Sequence, residues 1–282
     1  MAGLMDYKIK NGKVILAADD FEPSLVFDCG QCFRWEENGR AWRGVAMGYA
    51  TTVERQGNEI SVDCSEEDFQ ETWLNYFDLS YDYATARERI STDPFTAAAA
   101  EYGRGIRILR QDFWEALCSF IISQCNNISR ITGIISRLCE MYGAPFEYKG
   151  KTFYAFPSAE RLAAVSSDDL APLRAGYRAK YIVDAARDVA KGRISAEEIR
   201  PLSTKDAIAR LCELNGVGVK VASCTLLFGC GKRDAFPIDV WMKRALNEHY
   251  QKGFDGSAFG MDAGVAQQYI FHYIRNYRNS NK

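Results

Sequence analysis

The chain has 282 residues, 47% hydrophobic and 26% charged, with a formal charge of −2. This is an ordinary globular composition, long enough to bury one large core or two or three smaller ones. No run of about 18 uncharged apolar residues exists, which excludes a membrane-spanning helix. Charge is divided unevenly: residues 1–99 hold 9 basic and 18 acidic side chains, residues 100–282 hold 26 and 19. A polyanion is therefore drawn to the second part and repelled by much of the first. The 9 cysteines are odd in number. In so long a chain they read as reduced thiols of a cytosolic protein rather than a disulfide scaffold. Cys29-Gly30-Gln31-Cys32 has a zinc or redox spacing. However, no second such pair follows at zinc-ribbon distance, and His249 and His272 lie far along the chain. The pair is read as two small apolar side chains in a strand.

In chain order, the runs 13–16, 24–27, 31–35, 41–47, 50–54 and 59–62 are short and apolar or alternating, with Gly39, Gly44, Gly48 and Gly57 among them. They predict strands of an antiparallel sheet. Ser65, followed by Glu66, Glu67 and Asp68, predicts a capped helix start. From about residue 93 the pattern becomes helical. Phe113, Leu117, Phe120 and Ile121 share one face, as do Ile208, Leu211 and Leu214. Strands followed by helices give an α+β protein: an N-terminal antiparallel β-sheet domain over 1–92, then a mostly α-helical body over 93–282.

The informative stretch runs from Leu211 to Cys224 and on to Trp241. Over about 206–226 it predicts helix, Gly216-Val217-Gly218 turn, helix. The two glycines permit positive φ and close backbone approach. The turn N–H groups, at the positive end of the second helix, make an anion site suited to phosphate. Taken alone, the turn is also compatible with a simple tight hairpin. Asp239, ahead of a helix beginning at Val240, is likewise compatible with a plain N-cap.

This stretch resembles the helix-hairpin-helix plus Gly/Pro…Asp motif of the base-excision DNA glycosylases. In that superfamily a lysine just after the turn is the nucleophile and an aspartate some twenty residues on assists it. Lys220 and Asp239 match, with Pro237 in place. The chemistry explains the residue types. Breaking a nucleobase–sugar bond develops positive charge on the sugar, which a carboxylate stabilises. An uncharged amine then attacks C1′ to form a Schiff base, and β-elimination can follow. Such an amine needs desolvation or cationic neighbours, and Val219, Val221 and Ala222 supply apolar surroundings.

Asn126 to Gly133, Gly176 to Tyr181, Cys29 to Trp35, Ala266 to Phe271 and Gly105 to Phe113 together resemble the 8-oxoguanine DNA glycosylase family, from about residue 20 to 275. By that resemblance, the Gly30 carbonyl reads the N7–H that 8-oxoguanine has and guanine lacks. Gln267 reads the Watson–Crick edge of the flipped base, Phe271 stacks on one face and Cys224 touches the other. Asn127, Arg130, Tyr177 and Arg178 act on DNA: Tyr177 as a wedge, the arginines on the orphaned cytosine. Main-chain carbonyls of Cys212, Leu214 and Val217 would hold a hairpin monovalent or divalent cation. No other cofactor is implied. Relatives resembling endonuclease III place four cysteines near the C-terminus, whereas none follows Cys230 here, so no iron–sulfur cluster is expected.

The chain departs from the family at Asn215 (usually proline), at Cys125 (usually the first of three asparagines) and at Trp241 (a histidine in animal members). The implied partner is double-stranded DNA containing oxidised guanine paired with cytosine, with no membrane, and with the protein acting as a monomer. The implied location is the cytoplasm of a bacterium or the nucleus of a eukaryote. Two alternatives stay open: another damaged-purine specificity, or a non-catalytic DNA-binding module.

Overall fold

The computed structural model describes residues 6–250 and 254–280. Six strands, β1 (Tyr7–Lys10), β2 (Lys13–Ala17), β3 (Trp35–Asn38), β4 (Ala41–Ala46), β5 (Tyr49–Gln56) and β6 (Glu59–Val62), pair antiparallel in the order β1-β2-β6-β5-β4-β3. The register aligns Val14 with Val62 and Val62 with Val53. One apolar row thus crosses three strands, and all three valines are fully buried. Each such side chain contributes about 1.5–3 kcal/mol. Against this face lie Phe27, Trp35, Trp73, Tyr76 and Phe77. Phe27 stacks on Trp35 with ring centroids 3.8 Å apart.

Two expected strands are not strands. Residues 24–27 form part of helix α1 (Pro23–Asp28). Pro23 sets a helical φ at the first turn, and the Glu22 carboxylate accepts the Ser24 N–H at 3.3 Å, so local capping overrides the β-prone composition. Residues 31–34 are irregular, and only Trp35 enters β3. The reason is Gln31, whose buried side chain donates to the carbonyls of Val26 (3.0 Å) and Arg107 (2.8 Å) and accepts the Leu109 N–H (2.9 Å). It satisfies the backbone groups that a ladder would otherwise satisfy. Cys29 and Cys32 therefore sit in a loop, not a strand. Burial pushes the Cys29 thiol up to about 12 and Cys32 well above its ordinary value. Both remain S–H donors, to the Val26 and Phe27 carbonyls.

The expected cap at Ser65 is present, its hydroxyl accepting the Asp68 N–H at 3.0 Å. The helical body contains α2 (Tyr83–Ile90), α3 (Pro94–Tyr102), α4 (Phe113–Ile122), α5 (Ile128–Tyr142), α6 (Arg178–Ala190), α7 (Thr204–Leu211), α8 (Val219–Gly229), α9 (Val240–His249) and α10 (Ala263–Ser280), with shorter turns between. An unanticipated hairpin, β7 (Pro145–Tyr148) and β8 (Lys151–Tyr154), interrupts the body. Lys149 and Gly150 both have positive φ at its two-residue turn, as a tight hairpin of this length requires. The two cores interleave along the chain: Tyr83 and Ile90 join the helical core, while Leu109 joins the sheet core.

Arg107 joins the two parts. It is 1% exposed, yet its guanidinium donates to the carbonyls of Phe77 (3.0 Å), Asp20 (3.0 Å) and Asp78 (2.7 Å) and lies 4.3 Å from the Tyr83 ring centroid. Removing it would orphan several buried carbonyls at once. Arg107→Met should destabilise the fold by about 3 kcal/mol or more, read as a lowered melting temperature and urea midpoint.

Candidate DNA-facing active site

The hairpin begins where α7 ends. Gly216 has φ +79°, and a Cβ there would lie 2.2 Å from the Tyr181 ring. Only glycine lets the turn rest on α6. Gly218 departs from expectation: its φ is −102°, and it serves as the N-cap of α8 with open space where a Cβ would be. Its value is access, because a bare N-cap lets an anion approach the first-turn N–H groups. Asn215, where the family has proline, donates to Asp184 Oδ2 on α6 at 2.7 Å. A side-chain tether thus replaces a rigid ring. Gly216→Ala should weaken duplex binding and lower the melting temperature by the equivalent of about 1–3 kcal/mol, checked by thermal denaturation and a bandshift titration.

Two residues beyond Gly218, Lys220 points into the body. Helix α8 lies close against α4: a Cβ on Gly229 would come 2.9 Å from that of Ala116, and Phe120 stacks on Phe228 at 5.3 Å. This contact sets Lys220 beside the end of α4. Its amine donates to Ser123 Oγ at 3.0 Å and stands 5.2 Å from the Phe120 ring centroid. In sequence Phe120 shows only as part of an apolar helix face. Ser123, one residue past α4, carried no signal of its own.

Asp239 caps α9, with Oδ1 accepting the Met242 N–H at 2.8 Å. The cap fixes the carboxylate but does not account for its company. Cys224, 4% exposed on the next turn of α8 after Lys220, lies in the fields of both charges. Burial raises its thiol, the Lys220 ammonium pulls it back, and the Asp239 carboxylate raises it again. The charges of an amine on α8 and of a carboxylate at the cap of α9 thus both reach the thiol on α8.

A second group lies along the loop joining α4 to α5. Gly30 has φ +84°, and the position of its absent Cβ is 3.5 Å from Ile128 Cδ1 and 3.6 Å from Phe271 Cε1. The Gly30 backbone therefore faces the Phe271 ring across a gap that any side chain would narrow. Gln267, one turn earlier on α10, is 4% exposed and accepts from Gln268 Nε2 at 2.8 Å. Residues 123–128 span from the partner of Lys220 to the neighbour of Gly30, which places the two groups at the two ends of one short loop.

Tyr177, at the N-terminal edge of α6, is 54% exposed and meets Tyr181 edge-on at 5.8 Å. An aromatic ring held outward suits a wedge. Asn127 is the N-cap of α5, accepting the Arg130 N–H at 2.9 Å, and Arg130 is exposed and donates to the Arg174 carbonyl at 3.2 Å. Arg178 differs from expectation. It is 3% exposed, and its guanidinium is spent on the carbonyls of Gln124 (2.8 Å), Cys125 (3.0 Å) and Ala175 (3.2 Å). It holds the 124–127 loop from beneath instead of presenting itself to DNA. Cys125 is exposed with φ +46°, a left-handed conformation that asparagine accepts more readily. The Cys212, Leu214 and Val217 carbonyls belong to the end of α7 and the turn. The Leu214 carbonyl already accepts the Val217 N–H at 3.1 Å.

An open glycine hairpin, a lysine turned into the helical body and a capping aspartate whose charge reaches the same thiol fit the class of helix-hairpin-helix DNA glycosylases. Residues 118–255 match the HhH-GPD superfamily of base excision DNA repair proteins. Residues 13–117 match the N-terminal domain of 8-oxoguanine DNA glycosylase. The N-glycosylase/DNA lyase of Saccharomyces cerevisiae is 32% identical over 88% of this chain and 72% of its own length. A probable N-glycosylase/DNA lyase of Methanothermobacter thermautotrophicus is 30% identical over 91% and 94%. Among solved structures, MBOgg1 in complex with a low-affinity DNA ligand is 40% identical, with a TM-score of 0.92 over 97% of this chain and 99% of that one. The Clostridium acetobutylicum 8-oxoguanine glycosylase/lyase, in complex with double-stranded DNA containing cytosine opposite 8-oxoguanine, is 35% identical, with a TM-score of 0.91 over 98% and 100%. The chain belongs to the 8-oxoguanine DNA glycosylase family.

Proposed function

We infer that the protein is a DNA repair N-glycosylase/lyase that flips 8-oxoguanine out of duplex DNA, excises it and cleaves the abasic strand. Support comes from the family's N-glycosylase/DNA lyase members and from the Lys220 amine, held between Ser123 and the Phe120 ring in the same field as Asp239. In this reading the hairpin N–H groups grip a phosphate and Tyr177 fills the vacated stack. The extruded base lies against Phe271 and Cys224, with the Gly30 carbonyl accepting N7–H and Gln267 meeting its far edge.

Asp239 stabilises positive charge on the sugar as the C1′–N9 bond breaks and the pair of electrons leaves with the base. Lys220, once its ammonium proton has passed to solvent, donates its lone pair to C1′, and the nitrogen then loses a further proton to the departing base. Ring opening gives the iminium, and loss of a C2′ proton expels the 3′ phosphate. In this reading every group named comes from one chain, so a monomer suffices. The carbonyls of Cys212, Leu214 and Val217 are hard donors fit for a cation, whose charge would strengthen the turn's hold on phosphate. Such an enzyme acts where the genome is, in the cytoplasm of a bacterium or the nucleus of a eukaryote.

Duplexes carrying 8-oxoguanine opposite each of the four bases test this reading. Excision should be fastest opposite cytosine, with borohydride trapping a covalent protein–DNA adduct. Excision of alkylated purines but not 8-oxoguanine would move the enzyme to another substrate. A salt-sensitive bandshift with no strand cleavage would reduce it to a binding module.

A further inference from the structure

Gln267, Phe271 and Arg275 stand four residues apart on α10 and so share one face of it. The first two are assigned to the base; the reaction above does not use the third. Arg275 Nη1 lies 3.9 Å from the position of the absent Gly30 Cβ, beside Phe271 Cε1 at 3.6 Å. It donates to the Asp28 carbonyl at 3.0 Å, across 247 positions of chain. That carbonyl ends α1, two residues before Gly30. The last three carbonyls of α1 are all taken by side chains. Val26 accepts from Gln31 Nε2 (3.0 Å) and Phe27 from the Cys32 thiol (3.7 Å), both within the same loop. Of the three, Asp28 is the one held from a distant part of the chain. A guanidinium also suits the negative end of a helix. The Asp28 carboxylate is 66% exposed and 3.8 Å from Arg275 Nη2, so that ion pair adds little.

We propose that Arg275 is a positioning residue for lesion recognition: by pinning the Asp28 carbonyl to α10, it sets the width of the slot between Gly30 and Phe271. The two groups that read the base, the Gly30 carbonyl and Gln267, come from opposite ends of the chain. No local turn fixes the distance between them. Gln31 ties the Gly30 loop to Arg107 and Leu109, whereas Arg275 ties it to the helix that carries Gln267 and Phe271. A slot about 0.5 Å too wide loses the bond to N7–H. It still admits guanine, which has no proton to offer there. Arg275 thus protects the preference for 8-oxoguanine, not the grip on DNA. This rests on the glycosylase reading and deepens it, placing part of the discrimination in a clamp beside the pocket.

The test uses the full chain and duplexes whose target nucleotide has a non-cleavable 2′-fluoro sugar and lies opposite cytosine. The target base is 8-oxoguanine, guanine, or 7-deaza-8-oxoguanine, which keeps the C8 carbonyl but has carbon in place of N7. Wild type should prefer 8-oxoguanine to the other two. Arg275→Met should lose about tenfold in affinity for 8-oxoguanine, the scale of one hydrogen bond, and nothing for the others. Arg275→Lys keeps a donor for the Asp28 carbonyl and should recover most of that loss. Asp28→Asn keeps the carbonyl and should match wild type. A merely structural role would lower the melting temperature and scale all three affinities together, so an unchanged preference in Arg275→Met overturns the clamp. Equal losses on 8-oxoguanine and its 7-deaza analogue would mean that Arg275 touches the base itself, and also overturn it. So would a loss on every duplex with a salt slope lowered by about one, the mark of a phosphate contact. A wild type with no preference for 8-oxoguanine overturns this inference together with the glycosylase reading.

Discussion

Lys220→Gln should abolish borohydride trapping and lower 8-oxoguanine excision on the order of 10⁴-fold or more, the scale of losing a nucleophile, while the duplex is still bound. The two halves of this result have separate causes. Excision and trapping require a lone pair that can form a carbon–nitrogen double bond, and an amide nitrogen has none to give. Binding rests on the Gly216–Gly218 turn, on Tyr177 and on the basic surface of the second part of the chain, none of which the substitution touches. Glutamine is one atom shorter but keeps an N–H donor directed at Ser123 Oγ, the partner of the 3.0 Å contact, and removes no packing atom between α8 and α4, so the two helices should stay packed. A bandshift and a trapping gel on the same protein check both halves. Trapping that persists at full strength would mean that another amine attacks C1′. Binding lost together with trapping would mean that Lys220 is a structural or phosphate contact.

The site's legibility in sequence followed how local its geometry is. Gly216 and Asp239 are dictated within a few residues: a turn needing positive φ, a cap needing a short acceptor. Both sit where the pattern puts them. The partners of Lys220 were not legible. Ser123 lies 97 positions away and meets it only because Gly229 lets α8 lie against α4. Arg178 shows the reverse error. By resemblance to the family it reads as a DNA contact, but the Gln124 and Cys125 carbonyls of a distant loop and the nearby Ala175 carbonyl claim it. The two strand errors have different causes, one local and one distant. Pro23 and the Glu22 cap decided the conformation of residues 24–27, and Gln31 reached across 76 positions to Arg107, beyond any alternating pattern.

Asp239→Asn should lower excision on the order of 10²–10³-fold, the cost of removing one preorganised charge from a developing transition state, and leave stability nearly unchanged. Asparagine caps helices as well as aspartate does, so the 2.8 Å bond to the Met242 N–H survives. What disappears is the negative charge that now reaches Cys224 against the positive charge of Lys220. Asp239→Ala should show the same loss of excision and, in addition, about 1 kcal/mol of lost stability from the missing cap. The pair of variants therefore divides the two roles that one side chain combines. If the asparagine variant keeps wild-type turnover, the carboxylate only ends a helix, and the charge facing the sugar must come from elsewhere. If it loses turnover and melting temperature equally with the alanine variant, the defect lies in α9 and not in the chemistry.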